Sequence, residues 1–186
     1  MFLYITKNIE YLFMVKIVAH WEIGYMAPIM ESNFWNLPLR DFEVEHWGMV
    51  PVSGIRHNET QKVDLNEYET YDEYFEEEGE DLVRVFFEPR TDHHNPNTIW
   101  LHDFDHPTDC IYVFGSAHHN PSLFHKRDHD LVVSIKTVQD KGVLWSNQCA
   151  TLVLYDRMLK GVKESLKKEI TDPLEIIKEN KKKILE

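Results

Sequence analysis

Apolar residues gather along this chain into short runs separated by polar, turn-rich text. Val15-Lys16-Ile17-Val18-Ala19, Leu82-Val83-Arg84-Val85-Phe86-Phe87, Ile111-Tyr112-Val113-Phe114 and Leu131-Val132-Val133-Ser134-Ile135 are β-branched or aromatic, and turn residues such as Gly115 bound them. Near-continuous runs of this length are the pattern of strands buried on both faces of a parallel sheet. Further strands are predicted at 47–52 and, shorter, at 98–101. Between these runs the period changes. Ile23, Met26, Ile29, Met30, Phe34 and Leu37 recur at helical spacing, with the helix starting at Ala27 because Pro28 suits a first turn. Pro38 is predicted to end or kink it. Tyr71, Tyr74 and Phe75 repeat the spacing inside an acidic stretch, which predicts an amphipathic helix laid on the sheet with a solvated acidic outer face and Gly79 at its end. A third helix is predicted at 148–159. Strands alternating with helices mean an α/β fold with a mainly parallel sheet flanked by helices.

Such a sheet binds small molecules at the carboxyl ends of its strands, where loops present backbone N–H and C=O groups. Gly115 and Ser116 stand at one such end, Lys136 and Thr137 at the next, and residues 145–148 lead into the last helix. Three loops are thus positioned to converge on one ligand.

The order of parts from Cys110 to Lys160 is an apolar strand, Phe114-Gly115-Ser116, a polar loop, a strand ending Ile135-Lys136-Thr137, a second loop, and a helix carrying Ala150 and Leu154-Tyr155-Asp156. This text resembles the carboxyl-terminal half of the SpoU branch of the SPOUT RNA methyltransferases, closely over about fifty residues and loosely over about 140. The resemblance implies a SPOUT-like fold with a carboxyl-terminal trefoil knot, a rare exception to unknotted topology. It also implies S-adenosylmethionine held by residues 113–118, 134–138 and 143–149, with Phe114, Gly115, Ser116, Ile135, Thr137 and Leu144 as binding residues. The implied reaction is methyl transfer to a ribose 2′-hydroxyl of RNA, tRNA or rRNA, by a homodimer. Arg40 is the candidate for hydroxyl activation or phosphate orientation, and Ser146 and Asn147 for contacts to substrate or cofactor. The departures are specific. Ala117 stands where the family has glutamate and Lys136 where it has proline. An ungapped alignment sets Val143-Leu144-Trp145 on the family's S-L-N, with Asn147 two residues later. Asn33 and Arg40 stand in for N-x-G-x-x-x-R without its glycine, and the alternative for Arg40 is a surface arginine paired with Asp41 or Glu43.

Length and charge refine the picture. The 186 residues allow one domain, 1–162, with a knot region at about 110–160, an acidic insertion at about 58–81, and a charged helical tail at 163–186. A net charge of −12 argues against binding nucleic acid through a basic footprint. The charge is uneven: residues 59–81 hold eleven acids against Lys62, whereas 157–186 hold nine Lys/Arg against six acids, a basic arm. Cys110 and Cys149 lie in apolar surroundings and read as reduced, buried thiols. No run of eighteen uninterrupted apolar residues predicts a membrane span. The apolar start carries Lys7, Glu10 and Lys16, is a poor signal peptide, and leaves Met14 as an alternative start of a cytoplasmic protein.

Eight of the eleven histidines lie between His93 and His129, often beside aspartate, as at Asp92-His93-His94 and in 101–107. Imidazole and carboxylate at short spacing suit a zinc, manganese or iron site, so a metal-dependent hydrolase stands as one alternative, although H-E-x-x-H is missing and no metal ligands are assigned. For 101–107 the competing reading is a capped, hydrogen-bonded loop. P-loop, G-x-S-x-G and G-x-G-x-x-G signatures are missing, against a P-loop ATPase, an α/β-hydrolase and an ordinary dinucleotide binder. A catalytically degenerate SPOUT-fold module acting as a binding or interaction protein is the other alternative.

Overall fold

A computed structural model of the chain describes residues 15–22, 25–44, 46–54, 63–90, 97–116, 118–138 and 144–170, with side chains of the last helix described to 161. The elements are β1 (Val15–His20), α1 (Pro28–Asp41), β2 (His46–Val50), β3 (Asp64–Glu67), α2 (Tyr71–Gly79), β4 (Val83–Phe87), β5 (Ile99–Trp100), β6 (Cys110–Phe114), α3 (Ser122–His125), β7 (Leu131–Ser134) and α4 (Ser146–Ile170). A single 3-10 turn, Leu101–Asp103, follows β5. The strands make one sheet in the order β3-β2-β1-β6-β4-β7-β5, every neighbouring pair parallel. The near-continuous apolar runs occupy its centre, β1, β6 and β4, where both faces are covered.

One face packs against α1 and α4. Trp35 of α1 stacks on Trp47 of β2 with ring centroids 5.2 Å apart, and meets Phe114 edge-on at 5.6 Å. The other face packs against α2, whose Tyr71, Tyr74 and Phe75 are buried while Asp72, Glu76 and Glu77 face out and Glu78 turns in to Lys16, His46 and Tyr68. The Tyr74 hydroxyl donates to the Ile17 carbonyl at 3.2 Å and the Tyr71 hydroxyl to the Phe114 carbonyl at 2.8 Å, so neither buried phenol is left unsatisfied. Thr70 caps this helix through the Glu73 N–H, and Gly79 ends it with φ +148.

Three boundaries differ from the sequence reading, each for a physical reason. α1 continues through Pro38 to Asp41: Trp35 and Leu39, both fully buried, hold the last turn on the sheet, so the missing N–H costs one hydrogen bond and not the turn. The acidic stretch contains an edge strand, β3, that reads polar because Leu65 is its one apolar residue, sharing the half-buried face with Glu67; its pairing with β2 comes from tertiary contact, not propensity. Within the stretch, β3 belongs to the sheet and α2 packs on the sheet's face. α4 begins two residues earlier and runs further than 148–159. The tail helix proposed beyond residue 173 lies outside the described residues.

The loop at 101–107 is hydrogen-bonded to α4. His106 Nε2 meets Asp156 Oδ2 at 3.0 Å, and the Tyr112 hydroxyl meets His106 Nδ1 at 2.5 Å. Arg157 donates to that hydroxyl at 2.9 Å and to the carbonyls of Pro107 and Thr108, while Lys160 Nζ donates to those of Leu101 and Phe104. Burial, reinforced by Arg157 and Lys160, pushes the His106 imidazole down to about 4 despite Asp156. A neutral ring donating from Nε2 and accepting at Nδ1 satisfies every partner. The network is a structural clasp between α4 and the start of β6.

Candidate functional site at the carboxyl ends of the strands

A cavity of about 440 Å³ opens above the carboxyl ends of β4, β6 and β7, and the first turn of α4 closes one side. This is where an open parallel sheet binds ligands, and the volume lies within the roughly 300–1,000 Å³ of small-molecule pockets. β6 contributes Phe114, Gly115 and Ser116; β7 contributes Val133, Ser134, Ile135 and Thr137; the α4 entry contributes Leu144, Trp145, Ser146 and Cys149. All six residues expected to bind the cofactor, Phe114, Gly115, Ser116, Ile135, Thr137 and Leu144, are thus brought to one cavity.

The β6 exit is folded tightly. Ser116 and His119 exchange backbone bonds of 3.0 and 3.2 Å, and the Gly115 α-carbon lies so close that a Cβ there would meet the His119 carbonyl oxygen at 2.0 Å. Ser146 Oγ donates to the Gly115 carbonyl at 2.5 Å and ties the start of α4 to this turn. Trp145 N–H donates to Gln148 Oε1 at 3.1 Å, which satisfies one open donor of the helix start.

Of the three residues proposed for chemistry, Ser146 lines the cavity, and Asn147 lies one residue further along α4 without lining it. Asn147 accepts through its backbone carbonyl from Thr151 Oγ1 at 2.9 Å. Arg40 is not brought to the cavity. It sits in the last turn of α1, exposed, with Nε and Nη2 at 2.9 and 2.7 Å from Asp41 Oδ1.

Sequence reading missed Glu22 and Tyr25 beyond β1, Glu88 and Pro89 beyond β4, and Asn120 beyond β6, all of which line the cavity. Their signal was positional: Glu22 and Glu88 follow closely on apolar runs. Both carboxylates are buried. Glu88 accepts from the Ser122 N–H at 2.7 Å and from Ser122 Oγ at 2.5 Å, and the Glu22 N–H donates to Glu31 Oε2 at 2.8 Å. Burial, with Glu22 adding repulsion, pushes the Glu31 carboxyl up to about 7. Burial also pushes the Cys149 thiol up to about 12, so it is no thiolate nucleophile at neutral pH.

Aromatic rings ring the mouth. The Tyr25 hydroxyl lies 2.7 Å from His118 Nε2, and Trp145 stands edge-on to Tyr25 at 5.8 Å. Behind them His119 stacks between Tyr71 and the exposed Phe124. Burial, with His20 and His125 nearby, pushes the His119 imidazole down. Of the clustered histidines, His118 and His119 stand at this rim and His106 in the α4 clasp, while His102, His125 and His129 lie beside Asp103, Asp72 and Asp130. Among the described residues no three His, Cys, Asp or Glu side chains form a group that could hold a metal ion; His93 and His94 lie outside them.

No family model matches the sequence, and no curated protein does. Solved structures do match. The TrmH/SpoU tRNA modifying enzyme of A. aeolicus superposes with a TM-score of 0.60 at 10% identity, covering 82% of this chain and 77% of its own. A protein studied for the 2-OH methylation of C/U34 on tRNA gives 0.57 at 13% identity, covering 80% of this chain and 97% of its own. The SpoU methyltransferase AviRb from Streptomyces viridochromogenes, solved with AdoMet, gives 0.56 at 10% identity over 83% of this chain and 62% of its own. The protein therefore has the SPOUT α/β fold of the SpoU/TrmH methyltransferases, in a divergent sequence. Among the described residues no helix is long and apolar enough to cross a membrane.

Proposed function

We propose that this protein is an S-adenosylmethionine-dependent RNA methyltransferase acting on a ribose 2′-hydroxyl. The observation that carries the reading is the convergence of Phe114, Gly115, Ser116, Ile135, Thr137 and Leu144 on one cavity at the strand ends of a SpoU/TrmH-type sheet. That cavity fits the cofactor chemically: apolar walls from Phe87, Phe114, Val133 and Ile135 suit an adenine, and strand-end backbone groups suit its edge. The buried carboxylates Glu22 and Glu88 suit hydroxyls and positive charge. When bound, the cofactor supplies an electrophilic methyl group. Positioning then dominates the rate, because the acceptor oxygen must be held in line with that methyl. Ser146, held against the Gly115 carbonyl, fixes the relation between the β6 turn and the α4 entry, the two walls that orient cofactor and acceptor.

The reading includes a trefoil knot through 110–160, supported by the return of α4 to the β6 turn, and a homodimer packed through α1 and α4. It also takes the protein to be cytoplasmic, where tRNA or rRNA substrates are found. A second reading, a cofactor-binding module without transferase activity, is favoured by Arg40 and Asn147 standing away from the cavity. Titration with S-adenosylmethionine tests the cavity, and incorporation of labelled methyl groups into RNA separates the two readings: binding with incorporation supports the first, binding without it the second.

A further inference from the structure

We infer that the exposed rings of Tyr25 and His118 at the cavity mouth form a stacking site for one unpaired nucleobase of the RNA acceptor. The inference rests on the methyltransferase reading and deepens it. The two rings lie 5.6 Å apart at 29° to one another, and the Tyr25 hydroxyl to His118 Nε2 bond of 2.7 Å fixes their relation. Trp145, 81° to Tyr25, braces it from the side. Braced rings lose little rotamer freedom when a base settles on them, so the stacking energy is retained. All three are open to solvent, Tyr25 at 57% and Trp145 at 41% of their surface, although rings of this size are ordinarily worth burying.

Position and charge choose the occupant. Tyr25 and Trp145 line the cavity while His118 stands just outside it, so a base on the rings lies beside the cavity entrance and its own ribose reaches inward. A chain of net charge −12 draws little affinity from phosphates, whereas base stacking needs no positive field and every base has a π-face. The same charge disfavours an anionic membrane, and the hydroxyl and imidazole at the ring edges suit the polar edges of a base better than an apolar protein surface. The site takes a single-stranded nucleotide, because a base inside a duplex has both faces covered by its stacked neighbours.

The test uses the full chain with fluorescein-labelled single-stranded oligoribonucleotides, a uridine and an adenosine heptamer, and an RNA duplex of equal length, read by fluorescence anisotropy. His118→Ala is expected to weaken single-strand binding roughly tenfold or more, the range of one stacked base. His118→Phe, which keeps a ring and loses the bond to Tyr25, is expected to bind more tightly than His118→Ala and less tightly than the wild type. Raising salt from 50 to 200 mM should cost less than about tenfold, against the roughly hundredfold or greater loss of a heptamer bound through most of its phosphates. Equal binding by wild type and His118→Ala, equal binding of duplex and single strand, no oligonucleotide binding, or phosphate-like salt dependence would each overturn the inference. Titration of the wild type with S-adenosylmethionine alone judges the cavity separately from the stacking site. Failure of the wild type to bind the cofactor strikes the methyltransferase reading, and the oligonucleotide result then judges the stacking site by itself.

Discussion

At Gly115 the absence of a side chain decides the shape of the β6 exit. A Cβ would fall 2.0 Å from the His119 carbonyl oxygen and 2.7 Å from Pro121 Cδ, and the nearer atom is backbone that cannot swing aside. Gly115→Ala is expected to displace residues 116–121 and with them Ser146, at a cost of roughly 1–3 kcal/mol, the usual range of overpacking. Calorimetry should show S-adenosylmethionine affinity lower by at least about tenfold, with a lowered melting temperature; an alanine variant that binds as the wild type does would remove the turn from the site. The cavity residues at this scale were legible because strand ends and their turn residues mark themselves in sequence. For Arg40 the surface pairing with Asp41 was legible as the alternative, whereas its distance from the cavity was not, because that depends on the direction of α1. Twelve residues beyond Pro28 along a helix is about 18 Å, and at that distance from the helix start its guanidinium pairs with Asp41.

At the scale of elements, α1 and α4 each carry two stripes. Trp35 and Leu39 on α1, and Ala150, Val153 and Leu154 on α4, are buried against the sheet. Met30, Phe34 and Leu37, three to four residues apart, and Leu152, Tyr155 and Leu159 at the same spacing, are exposed. The two helices pack on the same face of the sheet. Apolar stripes repeated at helical spacing on neighbouring helices are what a partner surface requires, and this supports a homodimer. Light scattering at micromolar concentration is expected to give the mass of two chains, and Phe34→Glu the mass of one with its circular dichroism retained. A monomeric wild type would contradict the dimer. The elements themselves were legible where period and length agreed, in β1, β4, β6, β7, α1 and α2. β3 was not, because Asp64-Leu65-Asn66-Glu67 becomes a strand only by pairing with β2.

At the scale of the whole molecule two buried groups hold opposite ends of the pH response. Glu31 titrates at about 7 against an ordinary 4.5, so between those values the folded chain keeps a proton that the unfolded chain has lost, and stability falls as pH rises. His106 titrates at about 4 against 6.5, so the unfolded chain binds a proton that the folded chain excludes, and stability rises with pH across that window. Between pH 4.5 and 6.5 the two slopes oppose each other. Glu31→Gln removes one of them: urea unfolding should show the variant gaining on the wild type as pH rises from 4.5 to 7. Parallel profiles would contradict the account of Glu31. The parallel α/β architecture was legible from the alternation of strand and helix periods. The strand order was not, because only the folded sheet places β4 between β6 and β7.

That strand order brings residues from five segments of chain to one cavity, and the central claim is that the cavity holds S-adenosylmethionine. The most direct measurement is calorimetric titration of the purified full chain with that cofactor, repeated with its demethylated product as competitor. One site per chain at micromolar affinity, competed by the product and weakened in Gly115→Ala, is the predicted result. No heat of binding from either ligand, in a chain whose circular dichroism shows it folded, would contradict the claim.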